Sequence, residues 1–133
     1  CETLDSAGLV LDEANSFLKE SNDLFLNYSY LVERFRGIKS IPDVYVCGND
    51  WTAIQLMHAI QYCGYKIPQD VSIVGFDNIT ESVNCAPSLT TVDTPKFYLG
   101  EVAARYLIER INNPELPHAF IQCETKLIVR DSI

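Results

Sequence analysis

The sequence is short of the features that mark several classes of protein. Its 133 residues carry 10 basic and 18 acidic side chains, a formal net charge of −8 that argues against binding to nucleic-acid phosphates. No apolar run approaches the ~18 residues of a membrane span, and no basic segment followed by an apolar one opens the chain. We therefore predict a cytoplasmic domain without a membrane partner, for which contact with DNA would need another part of the protein.

Motifs for nucleotide binding and for nucleophilic catalysis are missing as well. Neither G-x-G-x-x-G nor G-x-x-x-x-G-K-[ST] occurs, so dinucleotide and triphosphate binding lose their main support. No G-x-S-x-G elbow occurs either, which argues against a hydrolase. The five cysteines form no C-x-x-C pair, so small buried thiols in a reducing compartment are expected rather than a metal site. We predict no cofactor and no enzymatic activity.

The sequence does contain an alternation of helical and strand patterns. Apolar residues at helical spacing predict helices over residues 28–35, 51–63 and 94–112, and short apolar runs predict strands over 44–47, 71–76 and 121–129. Strands that are joined through helices by short connections pair in parallel through right-handed crossovers. The prediction is an α/β fold, a three-layer flavodoxin-like or half-Rossmann subdomain with a mostly parallel sheet.

Polar pairs directly follow two of the predicted strands. Asn49-Asp50 follows one strand and Asp77-Asn78 follows the next, after a Gly75 that would let the backbone turn or approach a ligand. Open α/β sheets place their ligand crevice at the carboxyl ends of strands. An amide and a carboxylate together suit the hydroxyls of a sugar or the edge of a purine. We expect Asn49 and Asp77 to contact a ligand, and interpret Asp50 as a helix N-cap and Asn78 as a turn residue.

Several stretches resemble a known family, in order and at the family's own spacings from about residue 42 to the C-terminus: PDVYVCGND (42–50), GYKIPQDVSIVGFDN (64–78), PSLTTV (87–92), LGEVAA (99–104) and LIVRDS (127–132). They resemble the effector-binding domain of the LacI/GalR family of bacterial transcriptional regulators. The resemblance implies a periplasmic-binding-protein-like fold, in which two α/β subdomains close on a small effector, usually a sugar or nucleobase. It implies that residues 1–133 are the C-terminal effector-binding and dimerisation subdomain, with the helix-turn-helix domain and first subdomain outside this chain.

The same resemblance implies individual site residues. The strand-end asparagine and the first aspartate after glycine-aromatic contact the effector in that family, and they match Asn49 and Asp77. A further aromatic contact would fall near Leu24 or Phe25. The chain departs from the family after its Leu-Thr-Thr-hydrophobic motif, where Asp93 and Thr94 replace a basic residue and a glutamine, and this leaves the effector's identity open.

A homodimer is also implied, because two-fold pairing suits a palindromic operator. Trp51, Leu99 and Tyr106 fall on the dimer surfaces by resemblance. A second interpretation, in which these side chains merely cover the chain's own sheet, stays open at this point.

Two other classes of function are weighed against the regulator. A sugar-binding receptor of the same fold, feeding transport or chemotaxis, would need an export signal and would tolerate five unpaired thiols poorly. A small flavodoxin-like enzyme or receiver domain would need a clustered acidic pocket near its first strand or a phosphate loop, and neither pattern occurs. The regulator is therefore the preferred prediction.

Overall fold

The computed structural model describes residues 2–11, 15–17 and 27–133. In chain order its elements are α1 (Glu2–Ser6), α2 (Tyr28–Arg36), β1 (Val44–Val46), α3 (Asp50–Tyr62), β2 (Ser72–Phe76), α4 (Thr80–Asn84), β3 (Thr90–Asp93), α5 (Lys96–Asn112) and β4 (Lys126–Ile128). Phe25, the aromatic side chain expected at the ligand, lies outside the described residues. Within those residues, no helix is both long and apolar enough to cross a bilayer.

The strands form one sheet in the order β1-β2-β3-β4. β1 pairs with β2 and β2 with β3 in parallel, whereas β4 runs antiparallel to β3. Helix α3 connects β1 to β2, which is the crossover that parallel neighbours need. The predicted α/β architecture with a mostly parallel sheet is confirmed.

The core lies between the sheet and helices α2 and α3. Helix α3 packs on β2 and on α2, and its apolar positions recur every three or four residues, which places them on the face that meets the sheet. Each Leu, Ile or Met side chain among them that is fully buried contributes roughly 1.5–3 kcal/mol. The buried hydrophobic residues of these elements are Leu31, Val32, Phe35, Tyr45, Ala53, Ile54, Leu56, Met57, Ala59, Ile60 and Ile73.

Helix α5 contrasts with α3, because none of its residues is buried. Phe97 is 95% exposed, Leu107 61% and Ile111 68%. On a helix with 3.6 residues per turn, Leu107 and Ile111 share one face. This apolar face of α5 therefore points away from the chain's own sheet.

The region between β2 and α5 differs most from the sequence prediction. The sequence predicts no helix or strand between residues 76 and 94, but this region contains α4 and β3. β3 begins with Thr90 and Thr91, which are fully buried, and buried threonines do not give the apolar run that predicts a central strand. The closing strand is shorter than predicted: β4 covers Lys126–Ile128 and not 121–129.

Candidate functional site

Asn49 and Asp77 follow the carboxyl ends of two adjacent parallel strands. Val46 lies opposite Val74 in the β1–β2 register, and each candidate residue comes three positions later. Both side chains are partly buried. The structure thus brings these two predicted residues to the same edge of the sheet.

The Asn49 side chain caps helix α3. Its Oδ1 accepts a hydrogen bond from the Thr52 N–H at 2.8 Å, and its backbone is extended. The expectation that Asp50 would be the N-cap is wrong, because Asp50 is the first helical residue. No described residue bonds to Nδ2 of Asn49, so capping leaves a donor group for a ligand.

Asp77 lies in an unusual backbone conformation at the end of β2. Its φ is 108° and that of Asn78 is 48°, a region that non-glycine residues enter at a cost of about 1–3 kcal/mol each. The Asp77 N–H donates to the carbonyl of Val92 at 2.9 Å, and its own carbonyl accepts from Nζ of Lys96. These backbone bonds leave the carboxylate of Asp77 without a hydrogen-bond donor among the described residues.

The Asn78 side chain belongs to a network that holds the turn. Its Nδ2 donates to Oδ1 of Asp93 at 2.9 Å, and its Oδ1 accepts from Nη2 of Arg130 at 2.6 Å. Arg130 also donates to the carbonyl of Leu89 at 2.6 Å and to Oγ of Ser82 at 3.0 Å. Asn78 is therefore a turn residue, as interpreted from the sequence, and both its Nδ2 and its Oδ1 are hydrogen-bonded within the chain.

Sequence reasoning gave Arg130 no role, although it lies in the family-like LIVRDS stretch. A single arginine after an edge strand carries no local pattern that predicts where its guanidinium bonds. The signal becomes visible only when β4 is placed beside β3 and brings the arginine next to the Asp77 turn.

Gly75 in β2 lies next to the buried carboxylate of Asp50 at the start of α3. Asp50 is fully buried, and its carboxylate accepts from the Ile79 N–H at 2.9 Å and from the Thr91 hydroxyl at 2.6 Å. A Cβ on Gly75 would lie 2.1 Å from Oδ1 of Asp50 and 2.9 Å from Cδ2 of Leu89. Gly75 thus makes room for a buried carboxylate, whereas the sequence suggested room for a turn or a ligand.

Cys47 lies between β1 and Asn49, and its surroundings oppose the deprotonation of its thiol. Burial, and secondarily the negative charge of Asp50, raises the pKa of its thiol from 9.0 to about 12. A thiol that stays protonated at neutral pH is a poor nucleophile and a poor metal ligand. Among the described residues, no group of three or more His, Cys, Asp or Glu side chains could hold a metal ion.

The three residues predicted for a dimer surface are not equally accessible. Trp51 is 56% exposed on α3 and Leu99 is 38% exposed on α5. Tyr106, also on α5, is partly buried and donates its hydroxyl to the carbonyl of Pro117. Trp51 and Leu99 are free to meet another molecule, and Tyr106 is partly engaged within the chain.

The chain is similar to proteins of known families. Residues 3–133 match the periplasmic binding protein-like domain family. The HTH-type transcriptional repressor PurR of Vibrio vulnificus (strain CMCP6) is 37% identical over 92 residues, which cover 69% of this chain and 28% of the repressor. A transcriptional regulator LacI from Bacillus cereus subsp. cytotoxis superposes with a TM-score of 0.83 at 27% identity, covering 99% of this chain and 46% of that one.

A LacI family transcriptional regulator from Enterococcus faecalis V583, solved with bound ribose, superposes with a TM-score of 0.70 at 33% identity. The match covers 79% of this chain and 38% of that chain. The chain therefore spans less than a third of the length of the repressor from Vibrio vulnificus and less than half of either solved regulator.

The match over residues 3–133 shows that this chain belongs to the periplasmic binding protein-like domain family. Within that family it matches the effector-binding domain of LacI/GalR transcriptional regulators. The resemblance read from the sequence is confirmed.

Proposed function

We propose that this chain is the ligand-sensing wall of a bacterial transcriptional regulator and that its effector is a small sugar. The observation that carries the proposal is the carboxylate of Asp77, which lies at the strand edge beside Asn49. A carboxylate accepts hydrogen bonds from two neighbouring hydroxyls, and the Nδ2 group of Asn49 supplies a donor. The ribose bound to the similar regulator from Enterococcus faecalis supports a sugar over a nucleobase.

The proposed mechanism is a shift in equilibrium and makes no use of catalysis. Effector held between this chain and the first subdomain, outside the chain, favours one relative placement of the two. Only that difference in affinity changes how a helix-turn-helix domain, also outside the chain, binds its operator. The protein would act in the cytoplasm, where its operator lies and where its thiols remain reduced.

The exposed face of α5 supports a homodimer. Leu107 and Ile111 form an apolar strip on a helix of 17 residues, about 25 Å long. Leu99 lies about two turns nearer the N-terminus than Leu107, and Trp51 adds an exposed aromatic ring on α3. Exposed apolar surface of this kind marks interaction sites, and a second copy would place two operator-binding domains in two-fold symmetry.

The test is calorimetry of the intact regulator with ribose first and then other monosaccharides and nucleobases. Asp77→Asn keeps the shape and tolerates a positive φ, but it loses the charge, so sugar affinity should fall about tenfold or more. Asp43→Asn is the matched control, because Asp43 is exposed and precedes β1 at the opposite edge of the sheet. An intact regulator that binds none of these compounds, or an Asp77→Asn variant with unchanged affinity, overturns the proposal.

A further inference from the structure

The buried carboxylate of Asp50 is a second acidic group close to the effector site, and the proposed function gives it no part. It comes directly after Asn49, yet it is fully buried. Among the contacts of the described residues, its two hydrogen-bond donors are neutral: the Ile79 N–H at 2.9 Å and the Thr91 hydroxyl at 2.6 Å. Burying a carboxylate is costly unless it is hydrogen-bonded. These two bonds therefore compensate the burial of Asp50, and they show which parts of the chain it holds.

Both bonds lead to the turn that carries Asp77. The first reaches Ile79, the residue that follows the positive-φ pair Asp77-Asn78. The second is a relay: Thr91 donates its proton to Oδ1 of Asp50, and its oxygen accepts from the Asn78 N–H at 3.3 Å. Because the hydroxyl proton is committed to Asp50, its lone pairs face Asn78.

We propose that Asp50 is a positioning residue of the effector site, which fixes the backbone of the Asp77 turn through Ile79 and Thr91 without touching the effector. One carboxylate thus orients two successive amides, those of Asn78 and Ile79. Hydrogen bonds to a charged acceptor are about twice as strong as neutral ones, which suits a group that must hold two residues in a costly conformation. The effector site in this statement rests on the function proposed above.

Asp50 also links the two parts of the site that carry Asn49 and Asp77. Asp50 is the first residue of α3 and follows the N-cap Asn49, so a bond from its carboxylate to Ile79 ties the Asn49 end of α3 to the Asp77 end of β2. The two ligand-facing side chains are therefore linked through Asp50 as well as through the sheet. A shift of the turn would also displace Asp77 relative to Asn49.

The test measures amide hydrogen exchange in ¹⁵N-labelled protein and needs no ligand. Asp50→Asn puts an NH₂ group where one of the two donors now bonds, and Thr91→Val removes the relay with little change in volume. Asp50→Asn should raise exchange at the Asn78 and Ile79 amides, and Thr91→Val at the Asn78 amide, about tenfold or more, beyond any change at core amides of α3. Thr91→Ser keeps the hydroxyl and should leave exchange at the Asn78 amide normal.

Ser132→Ala is the matched control for loss of a buried hydroxyl. Ser132 is fully buried, and its Oγ accepts from the Thr90 N–H at 2.8 Å and donates to the Ile73 carbonyl at 2.6 Å, near the amino ends of β2 and β3. It should destabilise the protein without singling out Asn78 and Ile79. If Asp50→Asn does not fold, the comparison of Thr91→Val with Thr91→Ser decides.

The proposal is overturned if the rise in exchange at the Asn78 amide in Thr91→Val, and at both turn amides in any folded Asp50→Asn, is no larger than the rise at core amides, or if Ser132→Ala produces the same local change. Failure of the proposed function has a different signature. It appears as absence of sugar binding by the intact wild-type regulator, whatever the amides show.

Discussion

Replacing Gly75 with alanine is the sharpest test of the buried carboxylate. The new Cβ would lie 2.1 Å from Oδ1 of Asp50, where ordinary van der Waals contact begins at 3.4 Å. Asp50 would have to move by more than an ångström, which is enough to break its bonds of 2.9 Å to Ile79 and 2.6 Å to Thr91. Leu89, 2.9 Å from the same Cβ, blocks an easy shift of the strand.

The expected loss of stability combines two effects. Overpacking costs about 1–3 kcal/mol, and each lost bond to the carboxylate costs roughly another 1.5–3 kcal/mol. The gain from replacing glycine within a strand is only about 0.5–1 kcal/mol. We therefore expect Gly75→Ala to lower the free energy of unfolding by about 3–8 kcal/mol, a large part of the 5–15 kcal/mol typical of a domain.

Urea denaturation followed by circular dichroism measures this loss, with Gly100→Ala as control. Gly100 lies within α5 and a Cβ there would meet nothing within 4 Å, so the same chemical change should stabilise the protein by up to about 1 kcal/mol. A double-mutant cycle with Asp50→Ala isolates the clash. The reasoning is refuted if Gly75→Ala costs the same, within about 0.5 kcal/mol, with and without the Asp50 carboxylate.

Two further predictions concern Cys47 and helix α5. Because the pKa of Cys47 is raised in the folded protein, its contribution to stability is complete below pH 9.0 and is lost as the pH rises from 9.0 towards about 12. The free energy of unfolding of the wild type should therefore fall across this range more steeply than that of Cys47→Ala. Parallel curves for the two proteins would contradict the assignment. Leu107→Glu and Ile111→Glu both change the exposed face of α5 and should convert a dimer into a monomer in sedimentation velocity. The melting temperature of the monomer should stay nearly unchanged. A dimer that persists in these variants would show that this face is not part of the interface.

The sequence predicted those parts of the fold that depend on local apolar patterns. β1, α3 and β2 were placed within one or two residues, because each combines an apolar run or helical spacing with a clear end signal. β3 was missed because Thr90 and Thr91 are buried polar residues, whose hydroxyls bond to Arg130 and Asp50 from distant parts of the chain. Such bonds depend on sheet order, which no local window contains.

The candidate site, like the fold, could be predicted from the sequence only in part. Asn49 and Asp77 were identified because strand ends of a parallel sheet meet at one edge. The roles of Asn49 and Asp50 in starting α3 were assigned in the wrong order, since both residue types cap helices and only packing selects between them. Gly75 was connected to a turn because its real neighbour, the Asp50 carboxylate, lies 25 positions away in the sequence.

The positive φ of Asp77 limits how this protein can acquire a new specificity. At 108° the backbone favours glycine and accepts asparagine or aspartate, but it disfavours β-branched and bulky side chains. Substitution at position 77 therefore offers evolution or a designer very few alternatives. Recognition of a different effector has to arise from residues with ordinary backbone geometry, such as position 49, whose φ is −159°, while position 77 keeps its small polar side chain.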